Sequence, residues 1–276
     1  MDPKESLRRF YENVGEKYPE EDEVYNTLRG RLRRRFIGDF LRNWQGALLD
    51  VGCNRGMYLA GYSGGARFGV DLSRSVLKKA PKNANLRLAV ADAENLACFL
   101  ENSFNHVLCS EVLEHCLNPE AIFKGVASVL APGGVALLTT PNHKGEKPEW
   151  IDLGQLKHFG VESDCEDGYF HTAYRPEELS AFAQDAGLKI LDCGTFEKQV
   201  KYAAKVPAAV LLFGRLLNKL FRSEAFDRMN DRFFNRFCLA VNAFCRITKL
   251  EKILLKFVQE GVRSYILMQK PEREGK

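Results

Sequence analysis

Short apolar runs recur along the chain at Ala47–Val51, Arg67–Val70, Leu86–Val90, His106–Cys109, Val135–Thr139, Leu188–Leu191 and Tyr265–Met268. Near-continuous apolar runs of this length are the pattern of strands buried on both faces. Longer helical stretches separate them. One opens at Ser73, one runs from about Pro119 to Leu130, and one runs from Pro176 to about Ala186 and closes at Gly187. Serine is a favoured N-cap, and proline in a first turn flanked by acids suits a helix start. Repeated strand–helix units of this kind predict an α/β fold with a doubly wound, mainly parallel sheet.

The rest of the chain breaks that rhythm. Residues 1–46 are polar, with Phe10, Tyr11, Val14, Tyr18 and Leu28 among them, and predict one or two helices capping the sheet. Five arginines fall within residues 29–35. They read as a solvated face opposite Leu32, Phe36 and Ile37, or as contacts for an anionic partner. Pro132-Gly133-Gly134 is expected to turn the chain before the fifth strand. Residues 143–174, holding His143, His158 and His171, predict a long loop over one edge of the sheet. Residues 196–262 form an insertion before the last strand. The expected organisation is a cap (1–46), a core domain (47–195 with 263–271) and the insertion (196–262).

Chemistry gathers where the strands end. Ligands of doubly wound sheets bind beyond the carboxyl ends of the strands. There stand Asp50 and Gly52, then Asp71, then Asp92, then Ser110 and Glu111. The turn Gly52-Cys53-Asn54-Arg55-Gly56 lets backbone approach a ligand closely. Asn54 occupies a place where a third glycine is common, and Asn tolerates left-handed dihedrals better than other residues do. An acid at the end of the second strand, Asp71, can accept from both ribose hydroxyls of an adenosine. That geometry serves a nicotinamide dinucleotide and S-adenosylmethionine alike. The turn lacks the GxGxxG spacing, Asp92 adds an acid placed for an adenine amino group, and the Pro-Gly-Gly turn is a third landmark. All three favour S-adenosylmethionine.

The segments DVGCNRG (50–56), GVDLS (69–73), ADAENL (91–96), CSEVLEHC (109–116) and LAPGGVALLTTPN (130–142) occur in the order of the class I S-adenosylmethionine-dependent methyltransferases. They resemble the subgroup that includes the ubiquinone-biosynthesis O-methyltransferases, over roughly residues 45–195 and the last strand. The resemblance implies a Rossmann-like sheet of seven strands with the last antiparallel. It implies that Asp50, Gly52, Cys53, Asn54 and Gly56 surround the methionine part, Asp71 and Leu72 the ribose, Asp92 and Ala93 the adenine, with Ser110 nearby. Glu111, Glu114 and His115 are spaced i, i+3, i+4, which on a helix puts them on one face. Two carboxylates and an imidazole could hold Mg²⁺. In the quinone enzymes the like-placed residues are metal ligands. Alternatively His115, with Glu111, serves as general base, or the segment is only an acidic helix start.

Composition narrows the setting. The 276 residues are 45% apolar and 28% charged, ordinary for a globular protein. Eight cysteines show no CxxC pair and read as reduced core residues, and no run of eighteen apolar residues exists. With no apolar signal region at the N-terminus, the expected place is the cytoplasm, with a peripheral position at a membrane left open.

Charge is uneven. From Phe196 to Val258 thirteen Lys/Arg face five Asp/Glu, a net of +8, whereas the whole chain carries +4. In Val206–Arg222, Arg215, Asn218, Lys219 and Arg222 share one helical face, and Val206, Val210, Phe213, Leu217 and Leu220 another. Phe233–Val258 repeats the style. Such helices pack on the protein or on a second copy, lie in a membrane interface, or bind nucleic acid.

The leading expectation is a methyltransferase acting on an oxygen of a small apolar or lipid-linked acceptor, without a nucleic-acid partner. The alternatives are an RNA or protein methyltransferase, a non-catalytic scaffold with this fold, and, more distantly, a nicotinamide-dependent dehydrogenase.

Overall fold

The computed structural model describes residues 3–19, 21–164, 168–221 and 223–272. Cys165 and Arg222 lie outside them, as does the Leu220 side chain. The chain divides into two compact units. One comprises Met1–Tyr18, Gly38–Gly194 and Arg263–Lys276; the other comprises Pro19–Ile37 and Thr195–Val262.

In chain order the elements are α1 (Pro3–Lys17), α2 (Leu28–Leu41), β1 (Leu48–Val51), α3 (Met57–Gly61), β2 (Arg67–Asp71), α4 (Arg74–Leu77) and β3 (Arg87–Val90). β4 (Phe104–Ser110), α5 (Pro119–Val129), β5 (Leu130–Pro141), β6 (Trp150–Asp152), β7 (Gly168–Phe170), α6 (Pro176–Asp185) and β8 (Lys189–Phe196) follow. The insertion holds α7 (Gln199–Ala203), α8 (Lys205–Phe221), α9 (Glu224–Ile247) and α10 (Leu250–Leu254), and β9 (Arg263–Gln269) comes last.

Seven strands form one sheet in the order β3-β2-β1-β4-β5-β9-β8. β1 lies parallel between β2 and β4, and β9 runs antiparallel to β5. The Rossmann-like methyltransferase sheet expected from the sequence is therefore present. Its antiparallel strand matters for the site, because the start of β9 meets the end of β5: Arg263 stands opposite Pro141 and Ser264 opposite Thr140.

Local chemistry sets the helix starts. Ser73 Oγ accepts from Val76 N at 3.2 Å and caps α4 as expected. Asn118 Oδ1 accepts from Ala121 N at 3.2 Å, just ahead of Pro119 at the head of α5. Side chains on both faces of the sheet are closed off: Leu49, Val51, Val107, Leu138 and Ile266 pack with Phe123 and Val126 of α5 in a core on one face, and Leu48, Leu108 and Leu137 are buried on the other. Each such side chain gains roughly 1.5–3 kcal/mol by leaving water.

Two expectations are corrected. Pro132-Gly133-Gly134 does not precede the fifth strand but lies inside it. β5 already pairs at Leu130 with Phe104, and the register shifts before Val135 meets His106. Gly133, at φ +76°, takes up the irregularity. The stretch 143–174 is not bare loop. β6 and β7 pair as an antiparallel ribbon, and a 3₁₀ turn covers Gly154–Phe159.

The helical unit has its own core around Leu28, Tyr202, Ala203, Cys238 and Cys245. Of the five clustered arginines, Arg33 is buried, and its Nε lies 3.4 Å from Oε1 of Glu197, which is also buried. Removing one partner of a buried pair strands the other charge. We expect Arg33→Met to lower stability by about 3–5 kcal/mol. The double variant Arg33→Met with Glu197→Gln should recover most of that in urea unfolding. Equal losses in the single and double variants would refute the pairing.

Candidate active site

The site begins at the turn after β1. Gly52, Asn54 and Gly56 all have positive φ, at +71°, +51° and +78°. A side chain at Gly52 would collide with Val112. Asn54 holds its left-handed conformation while its Oδ1 accepts from Arg55 N at 2.7 Å. The turn aims Asn54 N at Asp71, whose Oδ2 accepts it at 2.9 Å, and Asp71 Oδ1 accepts from Ser73 N at 2.9 Å.

Asp50 is buried and Asp71 is half-buried. Burial raises the Asp71 pKa, and the bonds from Ser73 and Asn54 oppose it. Burial and then the Asp71 charge push Asp50 well above its ordinary value. Asp50 Oδ2 has no hydrogen-bond partner among the described residues. Cys53 is buried and its thiol is pushed up by burial, so it is a packing residue rather than a nucleophile. Leu72 and Ala93 are half-buried beside the acids. Asp92 Oδ1 accepts from Glu94 N at 2.9 Å.

Helix α1 reaches this edge, which the sequence did not foretell. Lys4 Nζ lies 2.8 Å from Glu94 Oε2 and 3.4 Å from Asp92 Oδ2. Glu12 accepts from Ser75 N at 3.1 Å, next to Asp71. Farther on, Lys17 Nζ donates to Gly160 O at 2.6 Å and Glu162 N to Asn13 Oδ1 at 3.2 Å. The helix is thus tied to both the acid edge and the segment after β6.

The 110–115 segment departs from expectation. Only a short 3₁₀ turn forms, Leu113–His115, and Glu111 precedes it at φ +59°. Glu111, Glu114 and His115 therefore do not share one helical face. Glu111 Oε2 instead accepts from Arg263 Nε at 2.5 Å, and its Oε1 accepts from Thr139 Oγ1 at 3.1 Å. Thr139 in turn meets Ser110 Oγ at 2.9 Å. Glu114 is buried and accepts from Thr140 Oγ1 at 3.1 Å.

His115 is enclosed by rings. Its centroid lies 5.1 Å from Tyr11 of α1 and 4.9 Å from His171 after β7. Burial, helped by His171, pushes the His115 pKa down to about 3. Burial and then Arg263 lower His171, against the pull of Glu111. Neither Nδ1 has a partner among the described residues. His143 bonds to Glu178 at 3.1 Å and His158 is exposed, so of the three histidines of that stretch only His171 joins the site.

One donor atom each from Glu114, His115 and His171 lies within 4.8 Å of the others. This is not the expected set, since Glu111 is replaced by a second imidazole. Two imidazoles and one carboxylate do not fit Mg²⁺, which takes oxygen ligands in octahedral geometry. The strand-end donors do fit S-adenosylmethionine: an orphaned carboxylate oxygen on Asp50, an open glycine turn and a carboxylate held by backbone at Asp71. Arg263, Tyr11 and Lys4 were missed in the sequence, because none belongs to a local motif of the strand ends they meet; Thr139 lay within the 130–142 motif and His171 within the 143–174 stretch, with no site role assigned to either.

The low pKa of His115 gives a sign to acid stability. A group whose folded pKa lies below its unfolded value, here about 3 against 6.5, stabilises above pH 6.5 and loses that contribution as pH falls toward 3. We expect His115 to show no protonation at pH 5 in an imidazole NMR titration, and His115→Gln to flatten the loss of stability between pH 6.5 and 3. A His115 titrating near 6.5 would contradict this.

Residues 49–138 match the methyltransferase domain family. The ubiquinone biosynthesis O-methyltransferase of Coxiella burnetii is 29% identical over 152 residues, covering 52% of this chain and 64% of that protein. Its namesake in Xanthomonas euvesicatoria is 29% identical over 170 residues, covering 58% of this chain and 70% of that protein. The chain thus spans just under two thirds of the Coxiella relative. Among solved structures, phosphoethanolamine N-methyltransferase 2 of Haemonchus contortus in complex with S-adenosylmethionine superposes with a TM-score of 0.57 at 18% identity. That superposition covers 99% of this chain and 60% of that one, and it speaks to the fold alone. The methyltransferase domain family is thus matched over residues 49–138, and the seven-stranded sheet around that stretch has the Rossmann-like methyltransferase fold.

Proposed function

We propose that the protein transfers a methyl group from S-adenosylmethionine to an oxygen of a small, apolar or lipid-linked acceptor. The observation that carries this reading is that one sheet edge joins the Asp50, Gly52, Asp71 and Asp92 set to a half-buried imidazole held neutral, His115. When bound, S-adenosylmethionine supplies an electrophilic methyl group on its sulfonium. The backbone of the 52–56 turn holds the methionine part and Asp50 Oδ2 takes a donor there. Asp71 accepts from the ribose hydroxyls, while Leu72, Asp92 and Ala93 border the adenine.

The acceptor oxygen sits near Ser110, Glu111 and His115. Positioning does most of the work, because holding two reactants in line removes much of the entropic barrier. The acceptor oxygen becomes strongly acidic as its bond to carbon forms. A weak but neutral base is then enough, and His115 with a pKa of about 3 is neutral across the physiological range. Arg263 holds Glu111 in place, and Tyr11 and His171 fix the His115 ring by contact.

Calorimetric titration of S-adenosylmethionine and S-adenosylhomocysteine is the primary test. We expect Asp71→Ala to weaken both by about ten- to a hundredfold, the loss associated with charged hydrogen bonds. Absence of binding by folded wild-type protein would favour the non-catalytic scaffold. Phenolic acceptors with labelled cofactor then test the base. His115→Gln should lower kcat by about a hundredfold or more while leaving cofactor affinity unchanged. An unchanged kcat would remove His115 from the chemistry.

A further inference from the structure

The helical unit turns its apolar residues outward. Of the eighteen large apolar side chains exposed among the described residues, thirteen lie between Val206 and Phe257. On α8, Val206, Val210, Phe213 and Leu217 recur at helical spacing and all are exposed, with Leu212 and Leu216 beside them. On α9, Phe233, Phe244 and Ile247 are exposed along one stripe, at 53%, 59% and 81%. A helix pair made for water does the reverse.

What lies between the two helices is small and polar. A side chain at Gly214 would meet Asn230, and Asn230 Nδ2 donates to Leu211 O at 3.0 Å. Asn218 exchanges two bonds with the Ser223 backbone, at 2.9 and 3.0 Å. Asn218 and Asn230 are buried there. Small and polar residues at the seam with apolar residues outside is how helices pair in lipid, where apolar contact between helices gains nothing.

Charge identifies the surface that these faces fit. The segment carries +8, and Arg232, Arg236, Lys249, Lys252 and Lys256 are exposed among the phenylalanines and leucines. Like charge at that density opposes a second copy of the same face. Phosphates of a nucleic acid would satisfy the cations but gain nothing from Phe244 or Ile247. No helix among the described residues is long and apolar enough to cross a membrane. We propose that the helical unit docks on the surface of an anionic lipid bilayer, with the outward faces of α8 and α9 in the acyl boundary and the flanking cations at the headgroups. This inference stands apart from the methyl-transfer reading.

Flotation of the full chain with phosphatidylcholine vesicles, with and without phosphatidylglycerol, is the test. Co-flotation with the anionic vesicles only, weakened by salt, is the expected result. Phe233→Ser and Phe244→Ser should each reduce partitioning by about tenfold or more. Arg232→Gln and Arg236→Gln should each reduce it by about fivefold. All four side chains are exposed, so the variants should keep the wild-type melting curve by circular dichroism. Absence of flotation at low salt would overturn the proposal, as would flotation indifferent to the phenylalanine changes. So would a stable dimer in light scattering that Phe233→Ser dissolves, or binding of single-stranded RNA without flotation.

Discussion

The carboxylate of Asp71 is half-buried at the sheet edge and is held by backbone donors. That constraint shapes the whole sheet edge. One donor is Ser73 N, supplied by the start of α4; the other is Asn54 N. Asn54 N points the right way only because three of the five residues from Gly52 to Gly56 have positive φ. Such a turn costs little at glycine and about 1–3 kcal/mol at an ordinary residue. Val112 leaves no room for a side chain at position 52. The acid thus rewards the turn for its unusual backbone, and the turn keeps the acid from being an unpaired, half-buried group. Asp50, one strand over, has no such cradle, and among the described residues its Oδ2 has no hydrogen-bond partner, which leaves a polar demand for a bound molecule to meet.

Strand ends were legible in the sequence because the physics that places them is local. Four or five apolar residues, an acid and a glycine say strand, then ligand edge, wherever they occur. Ser73 as a cap and Asn54 as a stand-in for glycine were legible for the same reason. The 110–115 segment was not. Its i, i+3, i+4 spacing supposes a helix, but Arg263, 152 residues away, takes Glu111 into an ion pair. Glu111 adopts a left-handed backbone outside the turn. His171 enters the site for an equally distant reason, carried in by the β6–β7 ribbon. No periodicity reports a partner at that separation.

The insertion teaches the complementary lesson. Helical periodicity in Val206–Arg222 sorts polar from apolar positions but does not say which side is inside: Arg215 and Lys219 are exposed, as Phe213 and Leu217 are, and the buried side is Gly214 with Asn218. The ordinary assumption puts Phe and Leu in and Asn out. Here Asn218 is buried and Phe213 is exposed. The assumption holds only when the solvent on the far side is water. On the docking proposal, a segment with exposed apolar side chains and a charge of +8 meets a different outer medium, and composition and charge carry information that the periodicity does not.

On the proposed reading, the electrostatics around Glu111 and His115 suit one kind of acceptor. Glu111 and Arg263 neutralise each other, and His115 and His171 both have lowered pKa values. An ammonium acceptor would find no uncommitted carboxylate in that pair, and an anionic one would find Arg263 already engaged. A neutral hydroxyl asks only for a hydrogen-bond acceptor, which a neutral imidazole supplies. On the proposed reading, charge passes from the sulfonium to the acceptor oxygen and leaves as a proton. A half-buried imidazole with a pKa near 3 cannot keep that proton at neutral pH. It must pass the proton on to water before the next turnover, so the burial that weakens His115 as a base is also what resets it.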